Sequence, residues 1–450
     1  MGEYWQKRTP LMTGEGAKLL RRLKEHPEAP RWNFEVGDRV ERGDLERARA
    51  YREEVLGWEE RGGGREEGWL REWVEKWRGR VDGVEERLRG KSVDQWEEIT
   101  PLERGELATN LVEWVPRDAD LERVIVYDTS GTTGHAIDVP THPVALASAH
   151  VLCERALRAY GVEVEFGPGK VASLNICAQQ STYVFAAIFS VWDQAGFAKV
   201  NLREEEWPGG REGAKRYIRE FSPEIVTTDP VGLSEMIAWE LPVRPKAIFS
   251  TAVELSPRVK EEAEAMYGCP VIDWYSTTET GPIAFSAPDG EGMLWAAPDL
   301  YVEVVDEEGR ALPEGEWGEI LVTGGRNPYL PLLRYRTGDR GRLRGGRLLE
   351  WEGRAAVFFR GMDGSVVNPV DIARILRLHA PFVLHEFVQF RDGACRLRIR
   401  PVKGRDVDRG LMSRLLEEIF GAGAEIEVVI DEKLGESGKV IPYYREESNE

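Results

Sequence analysis

Three hydroxyls and two glycines stand together in this chain, Ser130-Gly131-Thr132-Thr133-Gly134, directly behind the apolar run Val124-Ile125-Val126. Glycine takes positive φ and lets the backbone approach a ligand closely, so successive N–H groups can converge on an anion while the hydroxyls add donors. Holding phosphate is the chemistry open to such a stretch; a surface turn of the same composition does none. No Gly-Lys-Ser/Thr follows, so it is not a Walker loop. Hydroxyls and a carboxylate recur behind a tyrosine in Tyr275-Ser276-Thr277-Thr278-Glu279. Asp339 is a further acceptor-only carboxylate, and Lys439 sits on a glycine-flanked stretch near the C-terminus. Each of these alone also fits a packed aromatic, a surface acid, a turn aspartate or a solvated lysine.

The elements that must position these residues alternate. Val124 to Val126 reads as a short buried strand. Val171 to Cys177, Ala198 to Leu202, Glu224 to Thr228, Lys246 to Ser250 and Val271 to Tyr275 are further strands. Between them Thr182 to Trp192, Gly213 to Phe221, Val231 to Glu240 and Ser256 to Tyr267 read as helices. The alternation predicts an α/β fold, with mainly parallel sheets flanked by helices and ligands gathering at the carboxyl ends of the strands. Beyond Leu300 the pattern is an antiparallel β subdomain joined by Gly-containing turns. A boundary near Glu352 to Arg354 predicts a large domain, 1–352, and a small mobile α+β C-terminal domain, 353–450. The latter holds hairpins at Asp363-Gly364 and Asp392-Gly393, helices Val370 to His379 and Val407 to Phe420, and a strand Glu425 to Ile430. Residues 1–100 form a helical N-terminal part, with helices from Leu45 to Glu59 and Trp69 to Leu88. Trp58, Trp69, Trp73 and Trp77 there read as a packing stripe. Arg61 to Arg65 reads as a loop, and Thr100 as the cap of a short helix.

At 450 residues, the chain has room for two or three cores. A formal charge of −19 repels polyanions, so neither nucleic acid nor a membrane surface is expected as a partner. Cys153, Cys177, Cys269 and Cys395 lie far apart without a CxxC pair, which fits reduced thiols in a cytoplasmic protein. The first residues lack the apolar core of a signal peptide, and no stretch has the apolar length of a membrane span.

Taken in order, TSGTTG at Thr129 to Gly134, YSTTE at Tyr275 to Glu279, GEILVTG at Gly318 to Gly324, YRTGD at Tyr335 to Asp339, Gly353-Arg354, DGSVVNP at Asp363 to Pro369 and Gly438-Lys439 resemble the successive motifs of the adenylate-forming ligases. The upstream segment ITPLERGEL and the string YDTSGTTG resemble the phenylacetate-CoA ligase family in particular. The resemblance runs from about Thr100 to Lys439. It implies an AMP-forming ligase that activates a carboxylic acid, in this family an aryl or arylacetic acid, as an acyl-adenylate and passes it to the thiol of CoA.

Within that resemblance each residue type suits a task. Ser130, Gly131, Thr132, Thr133 and Gly134 would hold the triphosphate of ATP. Glu279 would hold Mg2+, a hard cation suited to one carboxylate plus phosphates and water. Thr278 would bond the α-phosphate. Tyr275 would stack on adenine, with Ser276 and Thr277 beside it and Ala252, Val253 and Glu254 walling the purine. Asp339 would grip the ribose hydroxyls, joined by Arg354. Lys439 would bridge the acid and the α-phosphate as charge develops. Rotation of the small domain would then present the hairpin near Arg360 to Val366 to CoA.

The chain departs from the family at His135, Ala136 and Ile137 after the glycine loop, at Ala355 and Ala356 where an acidic hinge is usual, and at Ser276. An acid pocket is expected among Asn175 to Phe185, Ser250 to Ala252 and Tyr275 to Ile283, with Tyr183, Phe185 and Ile283 as an apolar slot and Gln179 or Gln180 at its polar end. Two other functions stay open: an adenylating enzyme with a carrier-protein or amine acceptor, and a catalytically weakened nucleotide-binding protein. No motif encodes oligomeric state, and a homodimer is admitted.

Overall fold

The computed structural model describes residues 7–60, 68–128, 137–178, 182–252, 255–352, 359–364, 366–367, 372, 375–376, 378–436, 440 and 443–446. The expected loop Arg61 to Arg65 lies outside them. N-terminal helices α1 (Gly14–Glu25), α2 (Arg42–Glu60), α3 (Trp69–Trp77) and α4 (Asp82–Arg87) lead into α5 (Arg104–Thr109). The tryptophans behave as a packing stripe: Trp58, Trp73 and Trp77 are buried. The single helix expected from Trp69 to Leu88 is broken in two, because Gly79 adopts φ 74, a left-handed conformation that ends a helix. Thr100 caps nothing. Leu102 is first drawn into a bridge, its N–H donating to the Arg334 carbonyl at 2.9 Å, and α5 starts only after Glu103.

Strands β1 (Ile125–Asp128) and β2 (Asp138–Thr141) pair antiparallel as a separate ribbon, with Asp128 opposite Asp138. The strand expected to be buried is half outside: Val126 is 55% and Tyr127 41% exposed, on opposite faces of a two-stranded ribbon that stands apart from the main sheet. Residues 129–136, which connect the pair, lie outside the described residues. Helix α6 (Pro143–Ala159) follows.

Among the described residues, twelve strands then form one sheet. Strands β3 (Val171–Cys177), β5 (Ala195–Asn201), β6 (Ile225–Thr228), β7 (Ala247–Ser250) and β8 (Val271–Thr277) are parallel, in the order β8-β7-β6-β3-β5. Helices α7 (Gly210–Phe221), α8 (Pro230–Ala238) and α9 (Pro257–Tyr267) fall between them in the chain. Strand β4 (Phe185–Phe189) closes this edge antiparallel to β5, where the sequence predicts a helix from Thr182 to Trp192. Both of its faces are apolar. Ala186 and Ile188 join one core cluster while Phe185, Ala187 and Phe189 line the other side, and an apolar run buried on two faces loses the alternation that marks a strand.

On the far side of β8 the sheet turns antiparallel through β9 (Gly281–Ser286), β10 (Met293–Trp295), β11 (Leu300–Val305), β12 (Trp317–Gly324), β13 (Leu332–Arg344) and β14 (Arg347–Glu352). The C-terminal part contains the short hairpin β15 (Phe359–Arg360) and β16 (Val366–Val367). Its separate four-stranded sheet has the order β19-β18-β17-β20, built from β17 (Phe382–Gln389), β18 (Cys395–Pro401), β19 (Ile426–Ile430) and β20 (Tyr443–Arg445), with helix α10 (Arg409–Phe420). Phe359, Phe387, Met412 and Phe420 are its core. Leu384, Val402, Leu434 and Val440 share a cluster with Val231 of α8, and Arg400 pairs with Glu235 at 3.3 Å. Among the described residues no helix is long and apolar enough to cross a membrane.

Candidate active site

Strand β8 is the seam of the sheet, parallel to β7 on one side and antiparallel to β9 on the other. Its end carries the residues singled out in the sequence. Thr277 Oγ1 accepts from the Thr280 N–H at 3.1 Å, which closes a tight turn, and Gly281 continues at φ 71. Arg326 holds that turn from behind, donating to the Thr280 carbonyl at 3.3 Å and the Pro282 carbonyl at 3.2 Å. Thr278 is exposed at the tip and Glu279, next to it, is buried.

The thirteen-residue strand β13 supplies the partners. Tyr275 Oη donates to Asp339 Oδ2 at 2.8 Å, and Tyr335 Oη donates to Glu279 Oε1 at 3.0 Å. The tyrosine of each segment therefore bonds the acid of the other, and in both segments the acid follows its tyrosine by four positions. Burial, followed by the neighbouring carboxylate charge, pushes both phenols upward, so both stay neutral donors. Arg104 on α5 completes the group, pairing with Glu279 Oε1 and donating to Tyr335 Oη at 3.2 Å. A carboxylate this deeply buried needs such a partner.

Among the described residues no cluster of three His, Cys, Asp or Glu side chains could cage a metal ion. Both bonds to Glu279 fall on Oε1, leaving Oε2 for a cation among the described residues. A single carboxylate is a donor set that suits Mg2+ where phosphate oxygens and waters supply the remaining ligands.

Other expected residues fall as follows. Ser276 Oγ lies 3.3 Å from Thr251 Oγ1 at the end of β7, and Ala252 follows with φ 78, a backbone state uncommon for a residue with a Cβ. One face of Tyr275 is covered by Trp351, at 4.7 Å and 27°, and the residue is only 3% exposed, so the expected stacking of adenine finds no open ring face here. Ser130, Gly131, Thr132, Thr133 and Gly134, together with His135, Val253, Glu254, Arg354, Ala355, Ala356 and Lys439, lie outside the described residues. Lys439's neighbour Val440 is buried in the cluster that joins the small sheet to α8.

The apolar slot expected for the acid is not assembled as read. Ile283 is in the core, Tyr183 is 59% exposed against Phe34, and Phe185 faces a different cavity; Gln179 and Gln180 are outside the described residues. The sequence reading missed Arg104, Tyr335, Arg326 and Trp351. Two of them were within sight, since Arg104 lies in ITPLERGEL and Tyr335 opens YRTGD.

The profile of the AMP-binding enzyme family matches residues 84–327. Protein CapK of Staphylococcus aureus is 26% identical over 198 residues, covering 40% of this chain and 42% of that protein. The phenylacetate-coenzyme A ligase of Pseudomonas putida is 25% identical over 206 residues, covering 41% of this chain and 46% of its own. The chain thus spans under half the length of these curated relatives. Among solved structures, a 2-hydroxyisobutyryl-CoA ligase in the postadenylation state, in complex with R3-HIB-AMP, superposes with a TM-score of 0.59 at 18% identity, over 90% of this chain and 88% of that one. A benzoate CoA ligase from Burkholderia xenovorans LB400 reaches 0.51 at 13% identity, over 72% and 69%. At these identities the superpositions speak to fold.

Proposed function

Because this chain belongs to the AMP-binding enzyme family, we propose that it is an AMP-forming acid:CoA ligase acting on a carboxylic acid, with an aromatic, phenylacetate-like acid as its substrate class. The observation that carries the reading is the crossed pair of tyrosine–carboxylate bonds beside the exposed Thr278, which brings YSTTE and YRTGD into one group.

In this reading the stretch 130–134 holds the triphosphate and Glu279 holds Mg2+, whose charge offsets that of the phosphates. Asp339 accepts from the ribose hydroxyls. Adenine lies beside Tyr275, with Ser276, Thr277 and the Ala252–Glu254 stretch around it. Thr278 donates to the α-phosphate, and Arg354 reaches the sugar. The acid's carboxylate oxygen attacks the α-phosphorus, an acyl–phosphate bond forms, and pyrophosphate leaves. Lys439 stands between the carboxylate and the α-phosphate as negative charge accumulates there. The CoA sulfur then attacks the acyl carbon and AMP departs, after the small domain, 353–450, has turned against the large one, 1–352. A cytoplasmic setting belongs to the same reading, since it supplies ATP and CoA and keeps the four free thiols reduced.

Acid-dependent exchange of pyrophosphate into ATP, run across a panel of aryl and aliphatic acids with and without CoA, is the test. The expected result is exchange with arylacetic acids, lowered roughly a hundredfold or more in Lys439→Ala, with thioester formed when CoA is added. ATP binding without exchange for any acid overturns the reading in favour of a nucleotide-binding protein. Exchange without discharge by CoA moves the acceptor to another thiol or an amine.

A further inference from the structure

A cavity of about 160 Å3 lies between β1, β4, β5, helix α6 and the stretch 36–40. It includes none of Tyr275, Glu279, Tyr335 or Asp339. Rings form part of its wall, with aliphatic side chains between them: Phe185 and Phe189 of β4, Phe197 of β5, Tyr127 of β1 and His150 of α6. These rings brace one another. Phe189 stacks on Phe197 at 4.9 Å and 27°, and His150 meets Phe189 edge-on at 4.4 Å. Protein interiors are otherwise close-packed, and a dry apolar void of roughly 150 Å3 is enough to take up a benzene ring.

The polar groups at its margin narrow the occupant. Asp38 Oδ1 accepts from the Val40 N–H at 3.2 Å and Oδ2 from the Ser190 N–H at 2.7 Å. His150 Nδ1 lies 2.6 Å from the Leu146 carbonyl, so that nitrogen carries the proton and Nε2 is left as an acceptor. Burial holds the imidazole down at about 4, neutral at pH 7, and raises Asp38 to about 6, still largely ionised there. No Lys or Arg is among the described residues of the lining. A carboxylate or phosphate would meet Asp38 without a counter-charge.

We propose that this cavity is a binding site for a neutral, benzene-sized aromatic ring carrying at most one hydrogen-bond donor, for which His150 Nε2 is the acceptor. The occupant lies against Tyr127, one residue short of Asp128 where β1 ends, and therefore against the strand from which the stretch 129–136 departs. The same ring chemistry has two sources: the aryl end of a carboxylic acid substrate, its carboxylate held outside, or a free neutral aromatic molecule. The site itself does not depend on the adenylation reading.

Indole and phenol titrated into the full chain test it, followed by thermal unfolding and by NMR contacts between ligand protons and the phenylalanine rings. Binding that raises the melting temperature is expected. Ala187→Leu and Ala147→Leu each fill the cavity and are expected to weaken binding at least tenfold. Absence of binding by the wild-type protein overturns the proposal, as does binding undiminished in both variants. If neither variant folds, contacts to Phe189 and Phe197 in the wild-type protein decide. Pyrophosphate exchange separates the sources: filled variants that lose exchange with arylacetic acids but keep it with acetate place the substrate's ring here, and unchanged exchange with lost indole binding identifies a free aromatic. Wild-type protein that exchanges with no acid removes the ligase reading and leaves this one to the titration.

Discussion

The two halves of the twelve-stranded sheet are built on different physics. In the parallel half, β3, β6 and β7 contain no Asp, Glu, Lys or Arg, and their residues are mostly buried apolar ones held between two layers of cover. In the antiparallel half, β12, β13 and β14 carry Glu319, Arg334, Arg336, Asp339, Arg340, Arg342 and Arg347, several of them inside the protein. The candidate site sits at the seam, where an apolar platform fixes β8 and the charged half delivers Tyr335 and Asp339 against it. Each side contributes one tyrosine and one acid to the group.

That contrast can be broken at its strongest point first. Arg334 has no exposed surface, pairs with Glu303 at 3.2 Å and donates to the carbonyls of Trp96, Ile99 and Gly309. Arg334→Leu should lower unfolding stability by about 4 kcal/mol in urea titration, because Glu303 is then buried unpaired. Adding Glu303→Leu should restore part of it.

The parallel half should respond to pH through its cover, not its strands. Burial depresses His150 to about 4. Protonation then favours the unfolded chain, so stability should fall as pH drops from about 6.5 to 4, by about 3 kcal/mol for this one group. His150→Gln should flatten that slope in urea midpoints taken between pH 7.5 and 4.5. His142, also depressed to about 4, has the same sign, while Asp38, raised to about 6, has the opposite one and gains stability over the same descent.

At the seam itself, Tyr335→Phe removes one donor from Glu279 and should cost about 1.5 kcal/mol of stability. Its effect on exchange should appear as a raised Mg2+ requirement, with the aryl-acid preference unchanged. The smallest effect belongs to the platform: Ile248→Val in β7 should cost about 1 kcal/mol and leave exchange intact. A Mg2+ requirement altered by Ile248→Val would erase the distinction between the halves.

Legibility did not follow that division. In the parallel half Val171 to Cys177 is β3 as written, since buried β-branched runs between Gly and Pro punctuation are a local signal, whereas Ala198 to Leu202 misses the first three residues of β5; in the antiparallel half Gly318 to Gly324 falls one residue short of β12. Strand β4 was misread because Phe185 to Phe189 is apolar on both faces, which also suits a buried helix. The motif tyrosines and acids could be named from their order along the chain. Their crossing could not, because 60 residues separate Tyr275 from Tyr335 and 175 separate Arg104 from Glu279, beyond any periodicity. The acid slot failed for a related reason: that Phe185 and Ile283 point into different compartments is decided by the layering of the sheet.

The crossing has a mechanical consequence. Two parallel tethers between neighbouring segments resist separation but let one segment slide or swivel past the other. With exchanged ends, Tyr275 to Asp339 and Tyr335 to Glu279, a slide of either segment along the other has to break both bonds. A single-residue insertion between tyrosine and acid in either segment would cast off both moorings together, and the two carboxylates would lose their bearing on one another.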